Sequence, residues 1–448
     1  MINYNSRIYN MTSADAKWIL NESITDARDD SADHVKEYFR RENITKVAIY
    51  GMGEVGKRLY DFIEKETEVE VAYGIEKLNY QIKGQYRVKY LYRDFFRGSG
   101  IDAILVTPVQ DYARVADELY DVIDDDCKII PANEIFWKKT DFKLDFICPG
   151  FPRSGTTSFD AILRQNSRIC MPKVKEPQFF SDCAQYCRGL GWYAENYYGV
   201  NSEKVPGKIY GEVNPSLGYK NVRKIKDCFG SLKVIILYRN PIDWMFSFFK
   251  LIDKWFQGKF FLENQLQYIN IAQGFESLVK EIFEENKDGT VKMKKWSIFS
   301  EHDYIQMYEA YKNVFGEANV KVVLFEDLIN ETEQVCKDIF EFIGADTNDI
   351  INYKQWKNKG DLVPINEEGR KRFHALYQEQ QRFAVLHEEE RQESLKVCQK
   401  RKAELEQYYT KNNETPTSYT VDILKKYYRP YKEYIEKILN RDLSDIWF

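Results

Sequence analysis

A glycine-rich turn with an arginine inside it is the part of this sequence best suited to binding an anion. Gly150 and Gly155 lie in the stretch Gly-Phe-Pro-Arg-Ser-Gly-Thr-Thr, just after residues 144–148, which are apolar except for Asp145. The apolar run predicts a buried strand, and residues 156–165 predict a helix, so the turn leads into a helix N-terminus. Unpaired backbone N–H groups and the positive end of the helix dipole make such a turn a phosphate site.

The side chains of this turn distinguish it from the phosphate loop of nucleotide triphosphatases. The spacing of Gly150 and Gly155 matches a Walker A loop, but Thr156 stands where that loop has a lysine. Arg153 lies within the turn instead, and its planar guanidinium suits one phosphate or a developing negative charge. The expected phosphate-binding residues are Arg153, Ser154, Gly155, Thr156, Thr157 and Ser158.

A second apolar run ends in a second candidate anion site. Residues 232–238 predict a buried parallel strand that leads directly into Arg239, and Pro241 can open a helix after it. Ser247 then lies about two turns along that helix. We expect Arg239 and Ser247 to bind a second phosphate beside the first. The alternative is an arginine that caps the edge of the sheet and a serine with a structural role.

These segments, with a third between them, resemble the PAPS-dependent sulfotransferases (PAPS is 3′-phosphoadenosine 5′-phosphosulfate). In that family a loop like residues 152–157 holds the 5′-phosphosulfate, and an Arg-Asn-Pro segment with a serine eight positions after the arginine holds the 3′-phosphate. The third segment, Lys-Glu-Pro-Gln-Phe-Phe at 175–180, is similar to a stretch of carbohydrate sulfotransferases. The resemblance covers about residues 141–448, with weaker matches at 211–216, 323–328, 428–431 and 445–447.

The resemblance implies transfer of a sulfuryl group from PAPS to a hydroxyl of a carbohydrate or glycolipid, with PAP, the desulfated nucleotide, as product. It implies that Glu176 is the general base that takes the hydroxyl proton. Lys175 and Arg153 would stabilise the leaving phosphate, although many members of the family have lysine in place of this arginine. A further loop over the nucleotide is expected from three residues: Lys357, Lys359 and Gly360.

Several alternatives remain open for this region. Glu176 and Lys175 would have no catalytic role if they formed a solvated ion pair in a loop. None of the four histidines lies in a motif position, and the sequence shows no convincing cluster of metal ligands. A P-loop kinase is disfavoured by Thr156 in the lysine position and by the lack of a clear magnesium-binding aspartate after a strand. A non-catalytic nucleotide-sensing protein is the third alternative.

The N-terminal region contains a separate glycine motif. Gly51, Gly53 and Gly56 follow an apolar run at 46–50, precede residues with a helical pattern, and stand in the context of a dinucleotide-binding fingerprint. Glu76 ends the next expected strand, where a ribose-binding carboxylate would lie. The arrangement resembles nucleotide-binding modules that accompany sugar-modifying enzymes, so these four residues are a candidate second nucleotide site. Tight glycine turns also let a helix pack closely on a sheet with no ligand present.

Length and composition indicate an α/β protein of two domains. A chain of 448 residues exceeds what one hydrophobic core usually spans. We expect a Rossmann-like domain at 1–140 and a P-loop-like sulfotransferase fold at 141–448, each a mainly parallel sheet flanked by helices. A charged helical excursion is expected near 371–409. The formal net charge of −5 argues against a general nucleic-acid binder.

Targeting signals are not evident in the sequence. The N-terminal residues lack the basic and apolar regions of a signal peptide, and no apolar run approaches the roughly 20 residues that cross a bilayer. The sequence therefore predicts a cytoplasmic enzyme, whose acceptor is in solution or at a membrane surface. The scattered cysteines are expected to be reduced.

Overall fold

The structure is a computed structural model that contains two five-stranded parallel sheets flanked by helices. The α/β class expected from the sequence is therefore confirmed. The described residues are 31–77, 86–91, 94–137, 140–181, 183–186, 188–200, 204–255, 259–261, 268–270, 274–294, 299–300, 302–354, 362–364, 368, 372, 409–411 and 415–448.

The first sheet has the strand order β3-β2-β1-β4-β5. Its strands are β1 (Lys46–Tyr50), β2 (Glu70–Glu76), β3 (Val88–Tyr90), β4 (Ala103–Val106) and β5 (Lys128–Pro131). The helices around it are α1 (Ser31–Arg41), α2 (Glu54–Glu66) and α3 (Tyr112–Tyr120). The order reverses between β1 and β4, and in doubly wound sheets ligands bind at the carboxyl ends of the strands beside such a reversal. The N-terminal glycine turn follows β1 at this point.

The second half of the chain contains the other sheet and three short antiparallel pairs. Its strands are β6 (Phe146–Cys148), β7 (Ile169–Cys170), β8 (Ile209–Val213), β9 (Lys233–Tyr238), β10 (Lys259–Phe261), β11 (Tyr268–Asn270), β12 (Phe283–Glu285), β13 (Val291–Met293), β14 (Val320–Leu324), β15 (Leu362–Pro364) and β16 (Tyr409–Lys411). The parallel sheet has the order β14-β9-β6-β8-β7, so β6 lies at its centre. The segments that follow β6, β8, β9 and β14 therefore meet at one edge of this sheet.

Helices cover both faces of the second sheet. The helices described in this half of the chain are α4 (Thr156–Leu163), α5 (Cys183–Tyr186), α6 (Leu190–Tyr193), α7 (Val222–Phe229), α8 (Pro241–Trp255), α9 (Phe275–Ile282), α10 (Tyr304–Phe315), α11 (Phe325–Asn330), α12 (Thr332–Ile343) and α13 (Ser418–Leu439). In β9, Ile235 and Leu237 pack with α4 and α12, while Val234 and Ile236 pack on the opposite face. Both faces of β9 are buried, which explains its continuous apolar sequence.

The two halves of the chain contact each other. The hydroxyl of Tyr112 in α3 donates to Asp227 Oδ2 in α7 at 2.9 Å. The ring of Trp137, which follows the last strand of the first sheet, lies 6.2 Å from the ring of Phe179. Phe179 comes three residues after Glu176, so the first half packs beneath the loop that carries the candidate base. The expected domain division after residue 140 falls in the connection between β5 and β6.

Part of one sequence-based expectation falls on residues that are not described. Most of the charged segment near 371–409 lies outside the described residues, and Tyr409 itself begins β16. Within the described ranges, no helix combines the length and the apolar character needed to cross a membrane.

Candidate functional site

The phosphate loop at 149–157 connects β6 to α4, which confirms the strand-turn-helix arrangement expected there. Gly150 passes close to β9, because a Cβ at this position would lie 3.0 Å from the backbone nitrogen of Leu237. Gly155 has a φ of 81°, and a Cβ there would lie 2.9 Å from the ring of Phe325. Both glycines therefore allow close packing of this turn, against β9 at Gly150 and against the start of α11 at Gly155.

Arg153 links the phosphate loop to the second candidate anion site. Its Nε donates to the hydroxyl of Ser247 at 3.0 Å. Arg239 Nη1 in turn donates to the backbone carbonyl of Arg153 at 3.1 Å. Three residues that are far apart in the sequence therefore form one cluster at the carboxyl edge of the second sheet. We call Arg153, Arg239 and Ser247 the arginine cluster.

The phosphate loop also contains a buried hydroxyl that lacks a protein partner. Ser154 is fully buried, and its Oγ makes no hydrogen bond to any described residue. A buried polar group without a partner is costly, and an oxyanion in the loop would satisfy it. Thr156 is also buried, at the start of α4, and no side chain caps that helix. The first N–H groups of a helix have no partner within the helix, so they are suited to the same anion.

The turn that carries Arg239 is held by Glu326, which follows β14, and Glu326 is in turn bound by Trp447 near the end of the chain. Glu326 Oε1 accepts the N–H of Asn240 at 2.7 Å, and its Oε2 accepts the indole N–H of Trp447 at 3.2 Å. Burial raises the pKa of Glu326. Arg239 also lies over the ring of Phe325, at 4.7 Å from its centre. Glu326 and Trp447 belong to the weaker sequence matches at 323–328 and 445–447. The resemblance therefore pointed to these two residues, but it did not indicate what either of them does.

The candidate base lies in a second loop at the same edge of the sheet. Lys175 Nζ forms an ion pair with Glu176 Oε1, and the two side chains are 19% and 37% exposed. The amide of Gln178 donates to the carbonyl of Glu176 at 3.0 Å, and Asn214, which follows β8, donates its side-chain amide to the carbonyl of Pro177. The structure thus contains the ion pair that the non-catalytic alternative predicts, and the side chain of Glu176 is partly exposed.

Lys175 also lies close to the start of the phosphate loop. Burial raises the pKa of the Cys148 thiol, at the end of β6, to about 12, while the N–H of Gly150 and the charge of Lys175 act in the opposite direction. The ammonium group therefore contributes positive potential where the loop begins. The predicted contact between Lys175 and a leaving phosphate stays a prediction.

Two of the candidate residues have unusual backbone conformations. Among the described residues other than glycine, positive φ values occur at Asn43, Arg153, Glu176 and Asn440. Asparagine adopts the left-handed region readily, and Asn440 caps the C-terminus of α13. Arginine and glutamate rarely do so, and their φ values are 66° and 61°. Such strain persists only where surrounding contacts enforce it, and it is concentrated at functional sites.

The structure does not describe all of the residues that the sequence predicted for the site. Lys357, Lys359 and Gly360 lie outside the described residues. Among the residues that are described, no group of three or more His, Cys, Asp or Glu side chains is arranged to hold a metal ion. His302, which sequence motifs did not single out, lies near the phosphate loop, with its ring 5.4 Å from that of Phe151. Sequence offered no signal for this proximity, since 151 positions separate the two residues.

Comparison with known proteins now bears on this geometry. Residues 143–361 match the family model of the sulfotransferase domain. The resemblance to sulfotransferases is therefore confirmed for this segment, which is just under half of the chain. Sulfotransferases of this family use PAPS as the sulfuryl donor. A search of curated proteins found no match to this chain.

Several solved structures are similar to the chain at low sequence identity. A sulfotransferase from Alicyclobacillus acidocaldarius is 21% identical, covers 55% of this chain and 96% of its own, and has a TM-score of 0.34. A mouse sulfotransferase complexed with PAP is 18% identical, with coverages of 47% and 62% and a TM-score of 0.29. The sulfotransferase domain of an olefin synthase from Synechococcus is 17% identical, with coverages of 47% and 77% and a TM-score of 0.29.

The N-terminal glycine turn lies outside the segment that matches the sulfotransferase domain. Here Glu76 does not point to open solvent: it is buried, and its Oε1 accepts the N–H of Met52 within the turn at 2.5 Å. Gly56 packs against the turn itself, because a Cβ there would lie 2.1 Å from the carbonyl oxygen of Gly51. By contrast, a Cβ at Gly53 would have nothing within 4 Å. The predicted role of these residues in binding a nucleotide stays a prediction.

Proposed function

We propose that this protein transfers a sulfuryl group from PAPS to a hydroxyl group of a carbohydrate or glycolipid. The observation that carries the proposal is the arginine cluster: two anion-binding turns that follow different strands meet through direct hydrogen bonds. The loop of Lys175 and Glu176 lies at the same edge of the sheet. A donor with separate 3′ and 5′ phosphates requires two such anion sites side by side.

Each part of the donor has a matching group in this arrangement. The 5′-phosphosulfate fits the phosphate loop, where the unpartnered Ser154 hydroxyl and the N-terminus of α4 can donate hydrogen bonds. The 3′-phosphate fits Arg239 and Ser247. The cofactor-binding residues that we assign in the described part of the chain are Arg153, Ser154, Gly155, Thr156, Thr157, Ser158, Arg239 and Ser247.

The proposed reaction is an in-line transfer. A new S–O bond forms to the acceptor oxygen while the S–O bond to the 5′-phosphate breaks, and the hydroxyl proton passes to Glu176. Negative charge develops on the leaving phosphate oxygen, where the cationic groups of Lys175 and Arg153 stabilise it. In the present structure Lys175 pairs with Glu176. The leaving phosphate offers Lys175 a second anionic partner, and a weaker ion pair leaves Glu176 free to accept the proton.

The proposal that the acceptor is a carbohydrate or glycolipid has a single line of support. It rests on the similarity of residues 175–180 to carbohydrate sulfotransferases. In this segment Phe179 and Phe180 are buried in the core, whereas Glu176 is partly exposed. The two buried rings anchor the loop, and the partial exposure of the carboxylate is compatible with a role as base towards an acceptor hydroxyl.

Nucleotide binding and sulfate transfer test the proposal together. PAP should raise the thermal unfolding temperature without magnesium, because a ligand at 100 times its Kd stabilises the folded state by about 2.7 kcal/mol. Labelled sulfate from PAPS should appear on a glycan or glycolipid acceptor. A preference for ATP with magnesium would instead favour a P-loop kinase. Binding of PAP without transfer to any acceptor would favour a nucleotide-sensing protein.

A further inference from the structure

Asn214 connects three segments of the candidate site. It follows β8 and is fully buried. Its backbone N–H donates to the carbonyl of Cys148 at 2.9 Å, at the start of the phosphate loop. Its side-chain amide donates to the carbonyl of Pro177, directly after Glu176. One residue therefore holds both the phosphate loop and the loop of the candidate base.

The orientation of the Asn214 amide is set by its surroundings. Nδ2 faces two acceptors, the carbonyl of Pro177 and Oε1 of Glu212 at 3.4 Å, and an amide nitrogen has one hydrogen for each. Oδ1 accepts the N–H of Ser216 at 3.1 Å. The reverse orientation would place an oxygen against two acceptors. Each polar atom of this side chain is therefore used, which is characteristic of a residue that determines geometry.

Glu212 supports Asn214 from the core. It is fully buried, and its Oε2 accepts the hydroxyl of Tyr193 at 2.5 Å. Burial raises the pKa of Glu212 to about 7. Tyr193 and Asn214 are the groups that bind this carboxyl group, so the side chain of Asn214 is held between a buried acid and the backbone of the base loop.

The backbone that Asn214 holds is the strained part of the loop. Glu176 has a φ of 61°, which a glutamate rarely adopts without external contacts. Pro177 has no N–H, so its carbonyl is the group by which this residue can be attached through a backbone hydrogen bond. The bond from Gln178 to the carbonyl of Glu176 adds a second attachment. Contacts therefore fix the Glu176 carbonyl and the Pro177 carbonyl that follows it.

We propose that Asn214 is a positioning residue, oriented by Glu212, that holds Glu176 in reach of the phosphate loop. The inference rests on the proposed role of Glu176 as general base. It assigns no contact between Asn214 and either substrate. Asn214 acts on the reaction only through the backbone of Glu176 and Pro177.

Substitution of Asn214 separates positioning from simple structural support. Asn214→Ala removes the bond to Pro177 but retains the backbone bond to Cys148, so the phosphate loop should stay in place. We expect kcat to fall about 10²-fold, since a displacement of about 1 Å can have this effect, with the KM for PAPS and the Kd for PAP unchanged. An unchanged kcat, or a raised KM for PAPS with normal kcat, would overturn the proposal.

A matched control is available at the opposite end of α4. Asn166 is also buried, and its Nδ2 donates to the carbonyl of Asp346 at 2.7 Å. Asn166→Ala removes this bond and the one that Oδ1 accepts from the N–H of Arg168 at 3.1 Å, both away from the candidate site, and it should lower stability without changing kcat. An equal loss of kcat in both variants would show that loss of stability, rather than positioning, is responsible.

Asn214→Asp provides a second measurement with the same side-chain shape, which applies even if the alanine variant does not fold. The carboxylate can accept the N–H of Ser216 but cannot donate to Pro177, whereas its protonated form can donate. The activity of Asn214→Asp relative to the unmodified protein should therefore rise as the pH falls. A ratio that is constant with pH would contradict the positioning role.

Glu176→Gln distinguishes failure of this inference from failure of the proposed function. If that variant is inactive while Asn214→Ala retains full kcat, the function stands and the positioning role is wrong. If Glu176→Gln retains full activity, the general-base assignment is wrong, and the positioning role is wrong with it. If the unmodified protein transfers no sulfate, the proposed function itself fails.

Discussion

The two glycine-rich turns of this protein follow β1 and β6, each in a five-stranded parallel sheet, but they differ in what surrounds them. In the N-terminal turn, the carboxylate of Glu76 already accepts the N–H of Met52, whose side chain is buried. In the second turn, Arg153 meets Arg239 and Ser247, both from the segment that follows the adjacent strand. The first turn is closed by a carboxylate from the end of β2, and the second contains two arginines.

This difference shows that the spacing of glycines indicates close packing of the backbone and does not by itself indicate a ligand site. Gly56 is explained by its approach to the carbonyl of Gly51, and Gly155 by its approach to the ring of Phe325. Neither explanation requires a ligand. The anion site becomes recognisable only when cationic and hydroxyl side chains from another strand reach the same turn.

The largest expected effect concerns the base beside the second turn. Glu176→Gln should lower kcat for sulfate transfer by about 10²- to 10⁴-fold, because the proton of the hydroxyl loses its acceptor. The affinity for PAP should be retained in a calorimetric titration. Glu333→Gln is a suitable control, since Glu333 also forms an ion pair with a nearby lysine, Lys337, at 2.7 Å. Full activity of the Glu176 variant would show that its ion pair is only structural.

The next largest expected effect is a loss of PAP affinity when the arginine cluster is altered. Arg239→Ala should weaken PAP binding by about 10- to 100-fold, since a hydrogen bond to a charged group contributes about 1.5–3 kcal/mol. Titration calorimetry at two salt concentrations measures both the loss and its electrostatic part. Arg168→Ala is the control, because Arg168 also donates to a backbone carbonyl, that of Gly207, at 3.3 Å. Equal affinity in the two variants would remove Arg239 from the donor site.

The N-terminal turn should respond to substitution through stability. Gly56→Ala should destabilise the protein by about 1–3 kcal/mol in urea unfolding, because the added Cβ would overlap the carbonyl of Gly51. Gly53→Ala should leave stability unchanged, since nothing lies within 4 Å of that Cβ and its φ is −65°.

The same Gly53 variant also tests the second nucleotide site. A Cβ at this position would obstruct a phosphate that approaches the backbone. In the presence of NAD, we expect the Gly53→Ala variant and the unmodified protein to have the same thermal unfolding temperature. An NAD-induced rise in the unmodified protein that Gly53→Ala abolishes would establish a nucleotide site here, and the contrast between the two turns would disappear.

The smallest expected effect concerns the support of Arg239 from the end of the chain. Trp447→Phe retains most of the buried ring but removes the N–H donated to Glu326. A net hydrogen bond contributes about 0.5–1.5 kcal/mol, so PAP affinity should fall about two- to tenfold. Tyr434→Phe removes a hydroxyl that donates to Glu309 in the same C-terminal region, and it should leave PAP affinity unchanged. A similar loss in both variants would indicate a general loss of C-terminal packing.

Much of the second sheet could be predicted because its signals are local. Residues 232–238 were expected to form a strand, which spans Lys233–Tyr238, and Pro241 begins the following helix as expected. Pro restricts its own φ to a helical value, and an apolar run over this length suits a strand buried on both faces. By contrast, β3 was not expected, since its three residues are only partly buried and carry no continuous apolar pattern.

Local sequence patterns therefore predicted where the candidate anion-binding turns lie, because a strand, a glycine turn and a helix N-terminus are each encoded by neighbouring residues. The tertiary structure decided which of the two turns is surrounded by positively charged side chains and which residues support that turn. Asn214 and Trp447 act on segments 37 and more than 200 positions away, at Pro177 and Asn240. An asparagine or a tryptophan is compatible with many surroundings, so its partner is defined only when folding brings distant segments into contact.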